Sequence, residues 1–320
     1  MQKTIVINQQ FAQDVLDGLS STPKTLSSKY FYNKKGDALF QQIMALEEYY
    51  LTRAEYAIFD RYKKDWLTLF QNTGKPFQLI EFGAGDCYKT KVLLDAFTET
   101  KSDFQYVPID ISKNILEVLE ADLTERYPNL DIQPVNNDYF KALEELDKNT
   151  THRKVILFLG SNIGNFTDKQ AIAFLSEVKQ RLSKDDLILI GVDLKKKPET
   201  ILAAYNDKKG VTRDFNLNVL HRINDELGGD FQVENFMHSP IYDPLTGEAR
   251  SYLVTTKAQT VRIDALEQSF EFEAWEAIHT EISRKYSLNQ LEDLAEKAGF
   301  AETKHFFDEQ KYFVDTIWRK

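Results

Sequence analysis

The stretch Gln78–Leu94, QLIEFGAGDCYKTKVLL, is the most informative part of this 320-residue sequence about its fold. The apolar run Phe77–Phe82 is typical of a buried β-strand, and the run from Tyr88 onwards has the pattern of a helix. Gly83 and Gly85 lie between them. Because glycine has no Cβ, the backbone can turn sharply there and come close to a ligand. We therefore predict a strand, a ligand-binding turn and a helix.

Short apolar runs alternate with helical stretches through the middle of the chain, which predicts parallel strands with helices on both faces of the sheet. The further predicted strands are Phe104–Asp110, IQPVNND at 132–138, Lys154–Gly160 and Asp186–Leu194. The C-terminal part differs, because a helix closed by Gly299 is followed by two strands of a hairpin. This ending is usual in the seven-stranded methyltransferase fold and unusual in nicotinamide-binding domains.

The composition excludes several classes of protein. The net charge of −10 argues against a general nucleic-acid binder, which needs a basic face. Cys87 is the one cysteine, which fits a reducing cytoplasm, and the first residues do not have the pattern of a secretory signal. No apolar run approaches the roughly 20 residues that span a bilayer. We expect a cytoplasmic monomer without membrane or nucleic-acid partners.

The glycine turn lacks part of the dinucleotide fingerprint G-x-G-x-x-G, because Tyr88 stands at the third glycine position. Glu81, directly before the turn, would be unfavourable near a pyrophosphate. An acid there suits a ligand with an ammonium group and a sulfonium, such as S-adenosylmethionine (AdoMet). The turn therefore predicts AdoMet in preference to a nicotinamide cofactor.

Polar residues also end the next two predicted strands. Asp110 ends the second strand, where its carboxylate can accept hydrogen bonds from ribose hydroxyls. Asp138 ends the third strand, and with Tyr139 it can bind the adenine. Open α/β sheets bind ligands at the carboxyl ends of their strands. The alternative is that the glycines form an ordinary turn and the acids are helix caps.

Six stretches of the chain, in order from Lys29 towards the C-terminus, resemble the family of histidine-specific Nα-methyltransferases. The founding activity of that family makes hercynine, the trimethylated betaine of histidine, for ergothioneine biosynthesis. The six stretches are KYFYNKKGDALFQQIMALEEYYLTRAE, EFGAGDCYKT, YVPIDIS, LFLGSNIGNF, LAAYNDKKGVTRDFNLNVLHRINDELGGDF and IHTEISRKYS.

The resemblance implies an α/β, seven-stranded, Rossmann-like class I methyltransferase fold with a second, substrate-binding domain. We place the AdoMet-binding domain at 58–195 and 284–320. The substrate-binding domain then consists of the N-terminal arm, 1–57, and an insertion, 196–283.

The resemblance also implies the site residues. The matching AdoMet residues are Gly83, Lys89, Asp110, Asp138 and Tyr139. The matching residues for the amino acid are Tyr32, Tyr49, Asn165, Tyr205, Glu281 and Ser283, of which we assign Tyr32, Asn165 and Tyr205 to catalysis. The five histidines do not have the spacing of metal ligands, so we expect no metal.

The chemistry of these side chains suits a free amino acid. Asn165 and Tyr205 can hydrogen-bond its carboxylate, although Asn162 competes for the role of Asn165. Glu281 and Ser283 are two residues apart, which places them on one face of an extended strand. A carboxylate and a hydroxyl side by side can bind the donor and the acceptor nitrogen of a neutral imidazole.

Two alternatives are open on the residues alone. Ser251 stands where histidine enzymes of the family tend to place a methionine, so the acceptor could be another amino acid, such as tryptophan, or a histidine derivative. A non-catalytic AdoMet-binding module is a further alternative. We interpret the charge run Asp193–Lys197 as a solvated surface. We interpret His279 as a structural residue.

Overall fold

The computed structural model describes residues 8–146 and 152–320 and divides the chain into two compact units. The first unit consists of the chain up to Tyr49 together with Lys197–Ile282. The second unit consists of Tyr50–Lys196 together with Ser283–Lys320. The boundaries predicted after residues 57, 195 and 283 thus fall after residues 49, 196 and 282. The first boundary differs because the whole helix Leu51–Gln71 belongs to the second unit.

The second unit alternates strands and helices before it ends in a hairpin. Its elements are α3 (Leu51–Gln71), β1 (Phe77–Phe82), α4 (Lys91–Glu99), β2 (Phe104–Asp110), α5 (Lys113–Arg126), β3 (Asp131–Ile132), β4 (Val135–Asn136), α6 (Tyr139–Leu146), β5 (Arg153–Phe158), α7 (Asp168–Arg181), β6 (Leu187–Asp193), α10 (Leu288–Ala298), β12 (Glu302–Phe307) and β13 (Phe313–Arg319).

These strands form one sheet in the order β12-β13-β6-β5-β1-β2-β3, with β4 also paired to β2. Strands β1 to β6 pair in parallel, whereas β13 is antiparallel to both β6 and β12. The predicted α/β Rossmann-like fold with its terminal hairpin is confirmed. The predicted third strand is two short pieces, because Pro134 lies between them and has no N–H to donate.

The strand order locates the edge at which this sheet can bind a ligand. The chain runs outward from β1 to β2 and then to β3 and β4, and it returns to β5 on the opposite side of β1. Strands β1, β5 and β6 are buried along their whole length, as expected for a parallel sheet covered on both faces. The carboxyl ends of β1 and β5 therefore flank the point where the strand order reverses, the usual ligand position in such sheets.

The first unit is mainly helical at its start and contains two small sheets. Its elements are α1 (Gln9–Ser20), α2 (Lys34–Met44), α8 (Pro198–Tyr205), α9 (Val211–Leu227), β7 (Phe236–Asp243), β8 (Glu248–Thr255), β9 (Gln259–Ile263), β10 (Gln268–Phe272) and β11 (Ala277–Arg284), the last of which crosses the boundary.

The two sheets are β11-β8-β7 and β10-β9. Strand β8 alternates buried and half-buried residues, so one of its faces packs into the core of this unit. Helix α9 supplies Phe215, Val219, Leu220 and Ile223 to the same core. Within residues 8–146 and 152–320, no helix combines the length and apolar character that crossing a membrane requires.

Candidate functional site

The glycine turn after β1 is a close-packed cradle in the second unit. Gly83 has a φ of +71° and Gly85 a φ of +54°, which is the region that favours glycine. A Cβ added at Gly83 would lie 2.7 Å from the Tyr139 hydroxyl oxygen and 2.9 Å from Nδ2 of Asn162. A side chain at this position would therefore collide with Tyr139 and Asn162, whereas an added Cβ at Gly85 would meet nothing within 4 Å.

Asp110 lies beside this turn at the end of β2. One of its carboxylate oxygens accepts a hydrogen bond from the Gly85 N–H (3.1 Å), and the other accepts one from the Ser112 N–H (2.8 Å). The N-cap of α5 is Ser112, whose hydroxyl accepts from the Ile115 N–H (3.2 Å). Asp110 is thus not the helix cap that the alternative required. Each carboxylate oxygen has more than one lone pair, so Asp110 can also accept from ribose hydroxyls.

Asp138 and Tyr139 lie at the start of α6. The Asp138 carboxylate accepts the Lys141 N–H (3.0 Å) and is 3.6 Å from the Lys141 ammonium. The Tyr139 ring packs edge-on against Phe82 and Phe158, with ring centroids 5.6 and 5.3 Å away. Burial raises the pKa of Tyr139 well above its ordinary value, so the phenol stays protonated. Adenine binding by this pair stays a prediction, and Asp138 also caps its own helix.

Glu81 is buried beneath the turn, which corrects the argument that it would meet a cationic ligand. It is buried inside the second unit, where it accepts hydrogen bonds from the Thr90 hydroxyl (2.8 Å) and the Tyr106 hydroxyl (2.5 Å). Burial raises the pKa of Glu81 to about 7. The helix predicted from Tyr88 begins only at Lys91, because the turn continues up to Thr90.

Lys89, predicted as an AdoMet residue, forms an ion pair with Glu55 of α3. The Glu55 carboxylate also accepts the Gly160 N–H at 2.9 and 3.0 Å from its two oxygens. The sequence interpretation missed Glu55. The available signal was an acid three and four residues before Ile58 and Phe59, on the apolar face of a helix.

The run Asp193–Lys197 is not simply a solvated surface, so the interpretation made from the sequence is wrong at this point. Asp193 is fully buried and accepts hydrogen bonds from the Tyr50 hydroxyl (2.8 Å) and from Lys196. Lys285, also fully buried, lies 3.1 Å from the same carboxylate and donates to the Ser283 hydroxyl oxygen (2.8 Å). Burial lowers the pKa of Lys196 to about 8. The sequence interpretation was wrong because β6 ends inside the unit. Charged side chains there are stable only next to partners of opposite charge, which compensate the loss of hydration.

Four of the six predicted acceptor residues, Tyr32, Tyr49, Tyr205 and Glu281, lie in the first unit. The rings of Tyr32 and Tyr49 pack edge-on against Phe40, with centroids 5.7 and 6.3 Å away. Tyr205 is the last residue of α8 and is buried. The structure therefore brings Tyr32 and Tyr49 to one aromatic side chain.

Ser251 and Glu281 are neighbours in the paired strands β8 and β11. The Ser251 hydroxyl oxygen is 3.5 Å from one carboxylate oxygen of Glu281, at the outer limit of a hydrogen bond. Ser251 itself is buried. The residue that departs from the pattern of the histidine enzymes thus lies beside the acid predicted to bind the imidazole.

The other two predicted acceptor residues, Asn165 and Ser283, lie in the second unit. Asn165 is exposed and ends a short 3₁₀ turn that begins at Asn162. Asn162, the predicted competitor, is the one that lies against Gly83. Among the residues with a described structure, no three His, Cys, Asp or Glu side chains are grouped as metal ligands would be.

Comparison with known proteins gives a consistent result. The sequence model of the family described as "Histidine-specific methyltransferase, SAM-dependent" matches residues 11–320. The chain is 34% identical over 297 residues to Histidine N-alpha-methyltransferase of Mycobacterium tuberculosis, covering 93% of this chain and 91% of the relative. The Mycolicibacterium smegmatis protein of the same name is also 34% identical, with 92% and 90% covered. Ergothioneine biosynthesis protein 1 of Schizosaccharomyces pombe is 31% identical, with 86% of this chain and 36% of the relative covered.

Proposed function

The chain belongs to the family of histidine-specific, S-adenosylmethionine-dependent methyltransferases, and from this premise we propose that it trimethylates the α-amino group of L-histidine to hercynine. The observation that carries the proposal is the cradle at Gly83. It lies at the carboxyl end of β1, beside Asp110 and Tyr139, in a chain that matches the family over nearly its whole length.

The residues of the second unit fit AdoMet. Gly85 leaves room for a ligand that approaches the backbone, since an added Cβ there would meet nothing within 4 Å, and the Asp110 carboxylate can accept from ribose hydroxyls. Asp138 and Tyr139 would hold the adenine, and Lys89 would meet the carboxylate of the amino-acid end. When bound, AdoMet supplies a methyl group attached to a cationic sulfonium.

The acceptor amine must be neutral, because a protonated amine has no lone pair with which to attack. Most of the acceleration is expected from alignment of the amine and exclusion of water. We propose that Asn165 and Tyr205 bind the histidine carboxylate, with Tyr32 and Tyr49 beside it. These groups orient the amine and carry no charge that would compete with the cationic donor.

We assign recognition of the imidazole to Glu281 and Ser283. An ionised carboxylate is only an acceptor, so Glu281 suits the imidazole N–H, while a hydroxyl can donate to the other nitrogen. Sites that leave buried polar groups unpaired with the wrong substrate can discriminate by about 10⁴-fold. The proposal involves no metal, and it places a monomer in the cytoplasm. A single cysteine, Cys87, cannot form an intrachain disulfide, which fits a reducing compartment.

The test is incubation with AdoMet and each of the twenty amino acids, followed by mass measurement of the products. Histidine is expected to gain three methyl groups, and no mass gain on histidine would reject the proposed substrate. Glu281→Ala is expected to raise KM for histidine about 100-fold while the affinity for S-adenosylhomocysteine stays unchanged. Glu271→Ala, an exposed acid of the same unit, is the control that should change neither value.

A second acceptor is favoured by one observation, the buried Ser251 beside Glu281. A serine here occupies less volume than the methionine expected in histidine enzymes. The panel therefore includes tryptophan and Nα,Nα-dimethylhistidine. Methylation of tryptophan in preference to histidine would assign the same chemistry to the larger side chain. Binding of S-adenosylhomocysteine without product on any acceptor would indicate a non-catalytic module.

A further inference from the structure

We propose that Glu55 is a positioning residue for the methyl donor, which acts by holding Lys89 and the loop at Gly160 at a fixed spacing. The inference rests on the proposed function, because it concerns the binding of AdoMet. Glu55 itself is not expected to touch the donor, since its side chain is 1% exposed.

One carboxylate joins three parts of the second unit. Glu55 comes from α3, Lys89 from the turn after β1, and Gly160 from the loop after β5. The ion pair with Lys89 and the two contacts to the Gly160 N–H, at 2.9 and 3.0 Å, use both oxygens of the carboxylate. The Lys89 ammonium also lies 3.6 Å from the place where a Cβ of Gly160 would be.

Strands β6 and β13 leave space for the Glu55 carboxylate and surround it. At Gly191 in β6, an added Cβ would collide with a carboxylate oxygen of Glu55. Asp315 of β13 is buried next to it, and burial together with Glu55 raises the pKa of Asp315 well above its ordinary value. The charge of Glu55 is compensated by its ion pair with Lys89, which is the arrangement that makes a buried charge tolerable.

The position of this cluster relates it to the donor. Strands β1 and β5 are neighbours at the point where the strand order reverses, so the loops that carry Lys89 and Gly160 border the glycine cradle. A displacement of 1 Å at a reacting centre can cost about 100-fold in rate. The Glu55 carboxylate contacts both loops, so it sets the distance between Lys89 and Gly160. A ligand bound at this edge of the sheet depends on that distance.

Lys89 and Glu55 differ in exposure, so Lys89 can contact a ligand and Glu55 can only support Lys89. The Lys89 side chain is 18% exposed, whereas Glu55 is enclosed. An ammonium has three N–H donors, and Glu55 can accept only some of them. Burial opposes the charge of Lys89, but Glu55 outweighs this effect and raises the pKa of the lysine. We infer that Glu55 keeps Lys89 charged and aimed at the carboxylate of the donor.

The test is a double-mutant cycle read by calorimetric binding of S-adenosylhomocysteine. Glu55→Gln keeps an oxygen for the Gly160 N–H but removes the charge that holds Lys89. The variant is expected to bind about 10-fold or more weakly. In a Lys89→Met background, Glu55→Gln should change the affinity less than about 3-fold, because the partner through which Glu55 acts is absent.

Asp60→Asn is the matched control. Asp60 lies on the same helix and is ion-paired to Lys63 at 2.7 Å, but both side chains are exposed. It should bind S-adenosylhomocysteine as the unchanged protein does. The proposal is overturned if Glu55→Gln binds with unchanged affinity, or if it costs the same in both backgrounds, which would mark Glu55 as a tether of α3 alone.

A folding failure and a failure of the proposed function can both be told apart from a failure of the Glu55 proposal. If Glu55→Gln does not fold, Glu55→Asp keeps the charge with a shorter reach. Weaker binding at an unchanged unfolding midpoint then supports the proposal, and unchanged binding overturns it. Failure of the proposed function looks different, because the unchanged protein would then bind no S-adenosylhomocysteine or would not methylate histidine.

Discussion

The substitution Glu81→Gln should change how the stability of the protein depends on pH. Glu81 is buried directly before the glycine turn, and burial raises its pKa from 4.5 to about 7. In the unfolded chain the same carboxyl group loses its proton near pH 4.5. Between these two pKa values the folded state binds more protons than the unfolded state. The free energy of unfolding therefore falls as the pH rises through this window.

The magnitude follows from the two pKa values. The loss of stability from this one group is about 1 kcal/mol at pH 5 and about 3 kcal/mol at pH 8, a difference of about 2 kcal/mol. Glutamine does not titrate, so the variant lacks this loss. It has one acceptor oxygen for the two hydroxyls of Thr90 and Tyr106, which costs about 1 kcal/mol at every pH.

The assay is urea unfolding of both proteins at pH 5, 6, 7 and 8. The stability of Glu81→Gln relative to the unchanged protein should rise by about 2 kcal/mol from pH 5 to pH 8. Other titrating groups are common to both proteins and cancel in the difference. Glu120→Gln, an exposed acid of α5, should give a flat difference. A flat difference for Glu81→Gln as well would refute the reasoning.

Two further substitutions test the buried charges of the second unit by urea unfolding. Gly191→Ala should destabilise by about 3 kcal/mol, because the new Cβ would occupy the place of the Glu55 carboxylate. Lys285→Met should destabilise by about 2 kcal/mol, less than the loss of an isolated buried partner, because Asp193 keeps Lys196 and the Tyr50 hydroxyl.

Each substitution has a control and a contrary result. Gly191→Ala brings a collision without a positive φ, whereas Gly74→Ala brings a φ of +65° without a collision and should cost less, because an added Cβ there meets nothing within 4 Å. Gly191→Ala with unchanged stability would mean that Glu55 is not seated at β6. Lys63→Met, at an exposed lysine, should be nearly neutral. Equal effects of Lys63→Met and Lys285→Met would contradict the buried network.

Much of the fold could be predicted because it depends on neighbours in the sequence. The buried strand, the glycine turn and the helix after it follow from residue types within about ten positions of one another. The Ser112 N-cap of α5 and the Gly299 C-cap of α10, with a φ of +85°, are likewise local.

The errors arose where a side chain's surroundings depend on distant residues. Glu81 precedes the turn in sequence, but β1 directs it inward to Tyr106, 25 residues away. The run at Asp193 has the composition of a solvated surface, yet its carboxylate is bound by Tyr50, 143 residues earlier. Local composition does not show whether a charge will be buried, because its partners come from elsewhere in the fold.

The strand-and-helix order, the glycine turn, the terminal hairpin and the family can all be read from the residues in order along the chain. Those features follow from periodicity, from backbone freedom at glycine and from the order of motifs along the chain. The contacts of Glu55 with Lys89 and Gly160, across separations of 34 and 105 residues, are visible only in the folded chain. Such a contact forms only on folding, because a buried charge is stable only where the complete sheet places an oppositely charged group beside it.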